Sequence, residues 1–228
     1  MARLNLETID IYYLQNPYEG QGPYNTDNVF FDRLTSAFEF LESQVQAGKI
    51  RNYGMATYSC FRVKPNEGKM HLSLEKVMRL AEKVGGSDHH MRYIQVPINV
   101  MMPEAFIEPW QKVEDPKDKV SRNKILLPIC NDFNLNVISS QPLLQGYLST
   151  MPLSRSNMSI FNIPARHLQF MRSIPSRALK STLVGMKDVE HVRGNLEVVK
   201  KAIMSREEFF DSLKPHRRQE YIEEELDL

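Results

Sequence analysis

The sequence predicts an α/β protein built on a parallel sheet. Short runs of β-branched and aromatic residues alternate five times with stretches of helical periodicity along the 228 residues. Glycine or proline marks several of the junctions between the two kinds of segment. Because each crossover helix must cover a face of the sheet, five consecutive βα units favour parallel strands.

The first two βα units have the clearest patterns. The first has a strand over 9–14 and then a helix whose apolar residues recur at helical spacing until Gly48, namely Phe30, Leu34, Phe38, Leu41 and Val45. The second has a strand over 51–57. Its helix is expected to begin after the N-cap residue Ser73 and to stop at Gly85 and Gly86.

The later units are less regular. A third strand over 93–98 precedes a proline-rich segment, 101–118, which we expect to be loop or short helical turns. A helix is predicted from about Val120 to Phe133, with a kink at Pro128. The fourth and fifth strands are predicted over 136–140 and 179–184. Two predicted helices complete these units. The apolar residues at helical spacing are Ala165, Leu168, Met171 and Ile174 in the first helix and Val192, Leu196, Val199 and Ile203 in the second.

Composition narrows the class of protein. A net charge of +1 argues against a nucleic-acid surface. Cys60 and Cys130 are too few for a disulfide framework, so we expect packed, reduced thiols. No apolar run spans a membrane and no signal peptide is recognisable, which predicts a soluble protein of the cytoplasm, with an organelle as the open alternative. We expect one domain over 1–214 and a charged tail over 215–228. The pair His89-His90 lacks the ligand spacing of a metal site.

The segment 181–196 carries the most chemical information. A β-rich run stops at Gly185, and a polar turn containing Lys187 opens an amphipathic helical pattern. Backbone N–H groups and a cation then converge at a helix N-terminus, which favours an anion. The same pattern also fits an ordinary structural turn between a strand and a helix.

Five strand-end motifs together resemble the aldo-keto reductases, in the order of that family and over nearly the whole chain. They are 14–17 (Leu-Gln-Asn-Pro), 48–54 (Gly-Lys-Ile-Arg-Asn-Tyr-Gly), 94–99 (Ile-Gln-Val-Pro-Ile-Asn), 137–143 (Val-Ile-Ser-Ser-Gln-Pro-Leu) and the loop from Gly185 to Asn195. The resemblance implies a partial (β/α)8 TIM barrel made of five parallel βα units, strands four to eight of the family barrel. The family places its active site at the carboxyl ends of the strands.

The resemblance also implies departures from the family's catalytic set. Counted against the family, the sequence begins at strand four, so the first three βα units and the catalytic Asp, Tyr and Lys are expected to be missing. Gln15 stands in place of the family His. A carboxamide can orient a substrate carbonyl but has no titratable proton near neutral pH.

The cofactor side is better preserved, and the resemblance implies NADP(H). Gln95 would bond the nicotinamide carboxamide, Lys187 the 2′-phosphate and Asn195 the adenine edge. The loop containing Gln141, Leu143 and Gly146 would approach the pyrophosphate, and Gly185 opens the adenosine-phosphate loop. His191 and Gly194 replace the common Gln and Glu of the adenosine clamp, and Ala56-Thr57 replaces a common Ser-Asn pair.

Two functions remain open from the sequence. The first is an NADP(H)-dependent aldo-keto oxidoreductase acting on a small-molecule carbonyl substrate, with this chain carrying mainly the cofactor-binding half. The second is a catalytically inactive pseudoenzyme or truncated form that acts as a binding or scaffold protein. In either case we expect open sheet edges to promote oligomers.

Overall fold

The computed structural model describes residues 5–65, 70–151, 162–211 and 213. It confirms the α/β fold and its parallel sheet of five strands. The sheet order is β1-β2-β3-β6-β7, with β1 (Ile9–Gln15), β2 (Ile50–Ala56), β3 (Met91–Pro97), β6 (Asn136–Ser140) and β7 (Leu179–Thr182). All five strands lie within two residues of their predicted bounds, and the fifth ends two residues early.

Two long helices follow the first two strands and begin and end at the residues that local chemistry favours. Helix α1 (Asp27–Gln46) starts after Thr26, whose side chain accepts from the Val29 N–H, and Gly48 follows its end with a φ of 68°. Helix α2 (Leu74–Gly85) starts after Ser73, whose side chain accepts from the Lys76 N–H. The cap prediction at Ser73 is confirmed.

The predicted helix from Val120 to Phe133 is wrong in its first half. The chain forms a short helix α3 (Glu104–Ile107) and then an antiparallel hairpin of β4 (Gln111–Glu114) and β5 (Ser121–Lys124). Helix α4 (Leu126–Asp132) begins only after the hairpin, and Pro128 lies in its first turn, where no N–H partner is required. The segment 121–124 has little intrinsic strand preference, and its pairing with β4 decides its conformation.

The predicted apolar face of the last periodic helix is also wrong. Helix α6 (Val189–Glu197) contains no buried residue, and a 3₁₀ turn (Val198–Lys200) follows it. Leu196, Val199 and Ile203 are 50%, 62% and 59% exposed, whereas Val198 is buried. The break from α-helix to 3₁₀ turn changes the phase of the periodicity, which brings Val198 inward instead.

The described residues divide into two compact units. Of the described residues, unit 1 comprises 5–65, 70–97, 102–139 and 177–181, and unit 2 comprises 98–101, 140–151, 162–176, 182–211 and 213. In unit 1, the apolar faces of α1 and α2 supply much of the core, with Phe30, Phe38, Leu74 and Val77 nearly or fully buried. In unit 2, helix α5 (Ile163–Arg172) supplies Ala165 and Leu168, which pack with Val198 and Val184.

Helix α7 (Arg206–Asp211) ends the described part of unit 2. Ser205 and Glu208 form a reciprocal capping box: each side chain accepts the backbone N–H of the other, at 3.2 and 2.7 Å. The predicted tail, 215–228, lies outside the described residues. Within the ranges that the structure describes, no helix combines the length and apolar character that a membrane span requires.

Candidate functional site

The carboxyl ends of β1, β2 and β3 place two carboxamides in one row of unit 1. Gln15 pairs in register with Ala56, and Ala56 pairs with Gln95. Residues in register on neighbouring strands face the same side of a sheet, and strands lie about 4.8 Å apart, so the two glutamine backbones are separated by roughly 10 Å. Ala56, between them, is 1% exposed.

The next row toward the amino ends contains Tyr13, Gly54 and Tyr93. The Tyr13 hydroxyl is buried without a hydrogen-bond partner among the described residues. Burial, and secondly the neighbouring Tyr93, raise the pKa of Tyr13 to about 12. Tyr13 therefore stays protonated at neutral pH and is a weak acid.

A loop after β1 is tied to the loop after β2 through one carboxylate. Glu19 Oε1 accepts the backbone N–H groups of Tyr58, Ser59 and Cys60 at 2.8, 2.9 and 3.1 Å. Burial, and then the Glu19 carboxylate, raise the pKa of the Cys60 thiol well above its usual range. Both cysteines are free and buried, as the sequence predicts.

In unit 2, the loop after β6 is held in an unusual backbone conformation. Gln141, Leu144, Gln145 and Gly146 all have positive φ, at 54°, 45°, 56° and 97°. Each non-glycine residue in this region costs about 1 kcal/mol or more, so such a cluster is typical of functional loops. Asn99, which is 1% exposed, donates to the Gln141 carbonyl at 2.9 Å and accepts from the Met101 N–H.

A cavity of about 560 Å³ lies beside this loop, within unit 2. That volume falls in the range of small-molecule sites. It brings together six of the residues predicted to bind a cofactor: Gln141, Leu143, Gly146, Gly185, His191 and Asn195. Gln141 Oε1 is buried without a partner among the described residues.

A hydrogen bond joins the two ends of the loop from Gly185 to Asn195. Asn195 Nδ2 donates to the Gly185 carbonyl at 3.4 Å. Between them, Asp188 is the N-cap of α6, and its carboxylate accepts from the Glu190 and His191 N–H groups at 2.8 and 3.4 Å. Two of the helix N–H groups that the sequence predicts for an anion are thus already bonded to a side chain of the protein.

Three predicted residues are not among those that line the cavity. Gln15 and Gln95 belong to unit 1, at the strand ends described above. Lys187 is exposed in the turn before α6 and makes no ion pair with the residues that the structure describes. Its ammonium group is available to a ligand anion.

Comparison with known proteins gives matches only at the level of structure. No protein-family model matches the chain, and no curated protein matches it. The aldo/keto reductase from Klebsiella pneumoniae in complex with NADP and acetate superimposes with a TM-score of 0.57 and 20% identity, over 92% of this chain and 60% of that one. The chain has the fold of the aldo-keto reductases.

Two further aldo-keto reductases give the same result. A thermostable enzyme in complex with the inhibitor epalrestat matches at a TM-score of 0.56 and 19% identity, and the enzyme from Bacillus halodurans at 0.57 and 16%. These matches cover 92% and 93% of this chain but 61% and 63% of the solved ones. The chain therefore spans less than two thirds of the length of the aldo-keto reductases that it resembles.

The site contains residues whose roles the sequence did not reveal. Asn99 lies in the segment 94–99 that resembles an aldo-keto reductase motif, yet its hydrogen bond to the Gln141 carbonyl becomes visible only in the fold. Asp188 precedes a helical pattern, so the general preference for Asp at N-caps could have identified it. Within the described ranges, no group of three or more His, Cys, Asp or Glu is placed to hold a metal ion.

Proposed function

We propose that this chain is an oxidoreductase of the aldo-keto reductase type, dependent on NADP(H) and acting on aldehyde or ketone groups. The observation that carries the proposal is the unit 2 cavity. It gathers six residues of the cofactor motifs and is bordered by a loop with four positive-φ residues. The volume of the cavity, about 560 Å³, is in the range of sites that bind small molecules.

Each side chain has a distinct part in this proposal. The turn at Leu143 and Gly146 brings backbone toward the diphosphate, and Gly146 has the positive φ that a close backbone approach favours. Lys187 binds the 2′-phosphate, while Asn195 and His191 face the adenosine. In unit 1, Gln95 orients the nicotinamide carboxamide and Gln15 holds a substrate carbonyl. The cofactor, when bound, supplies a hydride.

The second candidate function is a binding or scaffold protein without turnover, and the row of side chains at the strand ends favours it. General acid catalysis requires a group that releases a proton near the working pH. Gln15 has none, and the pKa of Tyr13, one row away on the same sheet face, is about 12. Neither side chain is suited to protonating a substrate oxygen.

Titration with NADPH tests the binding part of the proposal. A lysine beside a 2′-phosphate contributes about 1–3 kcal/mol, so Lys187→Ala should weaken NADPH binding roughly five- to a hundredfold. Gln15→Ala is the matched control and should leave the affinity unchanged. Equal affinities of the parent and Lys187→Ala would remove Lys187 from the site, and absence of binding by the parent would refute the cofactor proposal.

Steady-state oxidation of NADPH with an aromatic aldehyde separates the two functions. The scaffold function predicts no turnover by the 228-residue chain. It also predicts no rescue by Gln15→His, since a histidine there would add a hydrogen bond to the carbonyl, while Tyr13, with its pKa raised to about 12, would remain a weak proton donor. Turnover that Tyr13→Phe abolishes would instead establish the enzyme, with Tyr13 as its acid.

The proposal extends to compartment and partners. A cytoplasmic location agrees with the two free, buried cysteines, because reducing compartments keep thiols unpaired. The expected ligand is a small carbonyl compound, and neither nucleic acid nor membrane is an expected partner. Strands β1 and β7 stand at the two ends of the described sheet, and we expect these edges to promote self-association.

A further inference from the structure

The turn into α6 has as many negatively as positively charged side chains, although the ligand proposed for it is an anion. From Gly185 to Asn195 the sequence has two cations, Lys187 and Arg193, and two carboxylates, Asp188 and Glu190. Arg193 and Glu190 form an ion pair at 2.6 Å. Lys187 and Asp188, adjacent in the chain, are then the remaining opposite charges.

Asp188 affects an incoming phosphate in two ways. Its carboxylate already accepts two of the first N–H groups of α6, from Glu190 and His191, so these donors are not free for an anion. Its negative charge also opposes a second anion at the same turn, while Lys187 attracts one. The two residues that carry those N–H groups, Glu190 and His191, line the cavity.

We infer that Asp188 is a specificity-determining residue that lowers the preference of the cavity for an adenosine 2′-phosphate over a 2′-hydroxyl. The inference rests on the proposed function, because it assumes that the cavity holds the adenosine part of a dinucleotide. With Asp188 present, recognition of the phosphate depends on Lys187. Without its charge, the same turn favours the phosphorylated cofactor more strongly.

The test uses Asp188→Asn, which removes the charge and retains the cap, since Asn and Asp cap helices about equally well. Asp188→Ser is a second capping variant without charge. The probes are adenosine 2′,5′-bisphosphate and adenosine 5′-monophosphate, which differ by the 2′-phosphate. Calorimetric titration gives both dissociation constants without any turnover.

Both variants should bind the bisphosphate about 3- to 10-fold more tightly, while affinity for the monophosphate changes by less than about twofold. The gain should shrink as salt is raised, because screening weakens exposed charges. Asp27→Asn, a carboxylate in the first turn of α1 in unit 1, is the matched control and should leave the ratio of affinities unchanged.

An unchanged affinity ratio in both variants, with monophosphate binding intact, would overturn the inference and leave the proposed function standing. Failure of the parent to bind either nucleotide would refute the proposed function and the inference together. A gain of the same size for both probes would also overturn the inference, since it would not distinguish the 2′-phosphate from the 2′-hydroxyl.

Discussion

Helices α2 and α6 show how differently the two units are stabilised. Helix α2, in unit 1, buries four side chains, Leu74, Val77, Met78 and Ala81. Helix α6, in unit 2, buries none and is held by the Asp188 cap, the Glu190–Arg193 ion pair and the Asn195 hydrogen bond. Apolar burial contributes far more stability than exposed polar contacts.

The two units therefore differ in how closely their helices are packed. Unit 1 resists change because its backbone and side chains are closely packed. Unit 2 places its cavity between a loop with strained backbone and a helix without an apolar face, and segments of this kind are typically the less stable parts of a protein. Ligand binding should therefore stabilise unit 2 more than unit 1.

The largest effect is expected at Gly54 in unit 1. A Cβ there would lie 2.2 Å from the Tyr93 carbonyl oxygen, so Gly54→Ala forces two paired strands apart. We expect a loss of at least about 3 kcal/mol in the free energy of unfolding, measured by urea denaturation. Gly48→Ala, at a positive φ with nothing within 4 Å, is the control and should cost about 1 kcal/mol. Equal losses would show that the close approach is not rigid.

The second effect concerns Glu42, a buried carboxylate of unit 1. It accepts from the Tyr53 hydroxyl, the His90 N–H and the His90 ring at 2.9, 2.7 and 2.8 Å. Glu42→Ala leaves these donors unpaired and should cost about 2–3 kcal/mol. Glu39→Ala, exposed on the same helix, should have little effect, and a similar loss there would contradict this account.

The lowered pKa of Glu42 predicts how the free energy of unfolding of unit 1 depends on pH. Burial acts to raise the pKa of Glu42, but the hydrogen bonds from His90 and Tyr53 outweigh it, and the pKa is lowered. The stability that this carboxylate contributes is complete above its unfolded pKa of about 4.5 and is lost as the pH falls through the lower folded pKa. Urea denaturation at several pH values should show this loss in the parent and not in Glu42→Gln.

The third effect is a loss of stability in the loop after β6, which Asn99 holds in unit 2. Asn99→Ala removes the donor to the Gln141 carbonyl and the acceptor of the Met101 N–H, which should cost about 1–2 kcal/mol. It should also speed proteolysis at 141–146, measured at a fixed protease concentration. Asn123→Ala, at an exposed site in β5, is the control, and equal cleavage rates of the two variants would show that Asn99 does not hold the loop.

The smallest effect is expected at Gly194 in unit 2, where a substitution should raise the free energy of unfolding. Gly194 lies inside α6 at an ordinary φ, and a Cβ there would meet only the Asn162 amide, at 3.5 Å. Gly194→Ala should therefore add about 0.5–1 kcal/mol to helix stability, which circular dichroism during urea denaturation can measure. A loss of stability would mean that unit 2 is packed as closely as unit 1.

The sequence by itself determined the elements whose signals are local. The caps at Ser73 and Gly86 and the five strands depend on neighbouring residues and on short apolar runs, so they could be read along the chain. The order of the strand-end motifs also indicated the aldo-keto reductase fold that structural comparison shows. Six of the predicted cofactor residues do line one cavity.

The tertiary structure decided what depends on distant partners. Ser121–Lys124 became a strand because β4 offers it hydrogen bonds, which no local preference predicts. Val198 replaced Val199 in the core because α6 breaks into a 3₁₀ turn. Gln141 has a positive φ, and its carbonyl accepts a hydrogen bond from Asn99, 42 positions earlier in the chain. Contacts over such separations form only when the fold brings the segments together, so a reading along the chain cannot supply them.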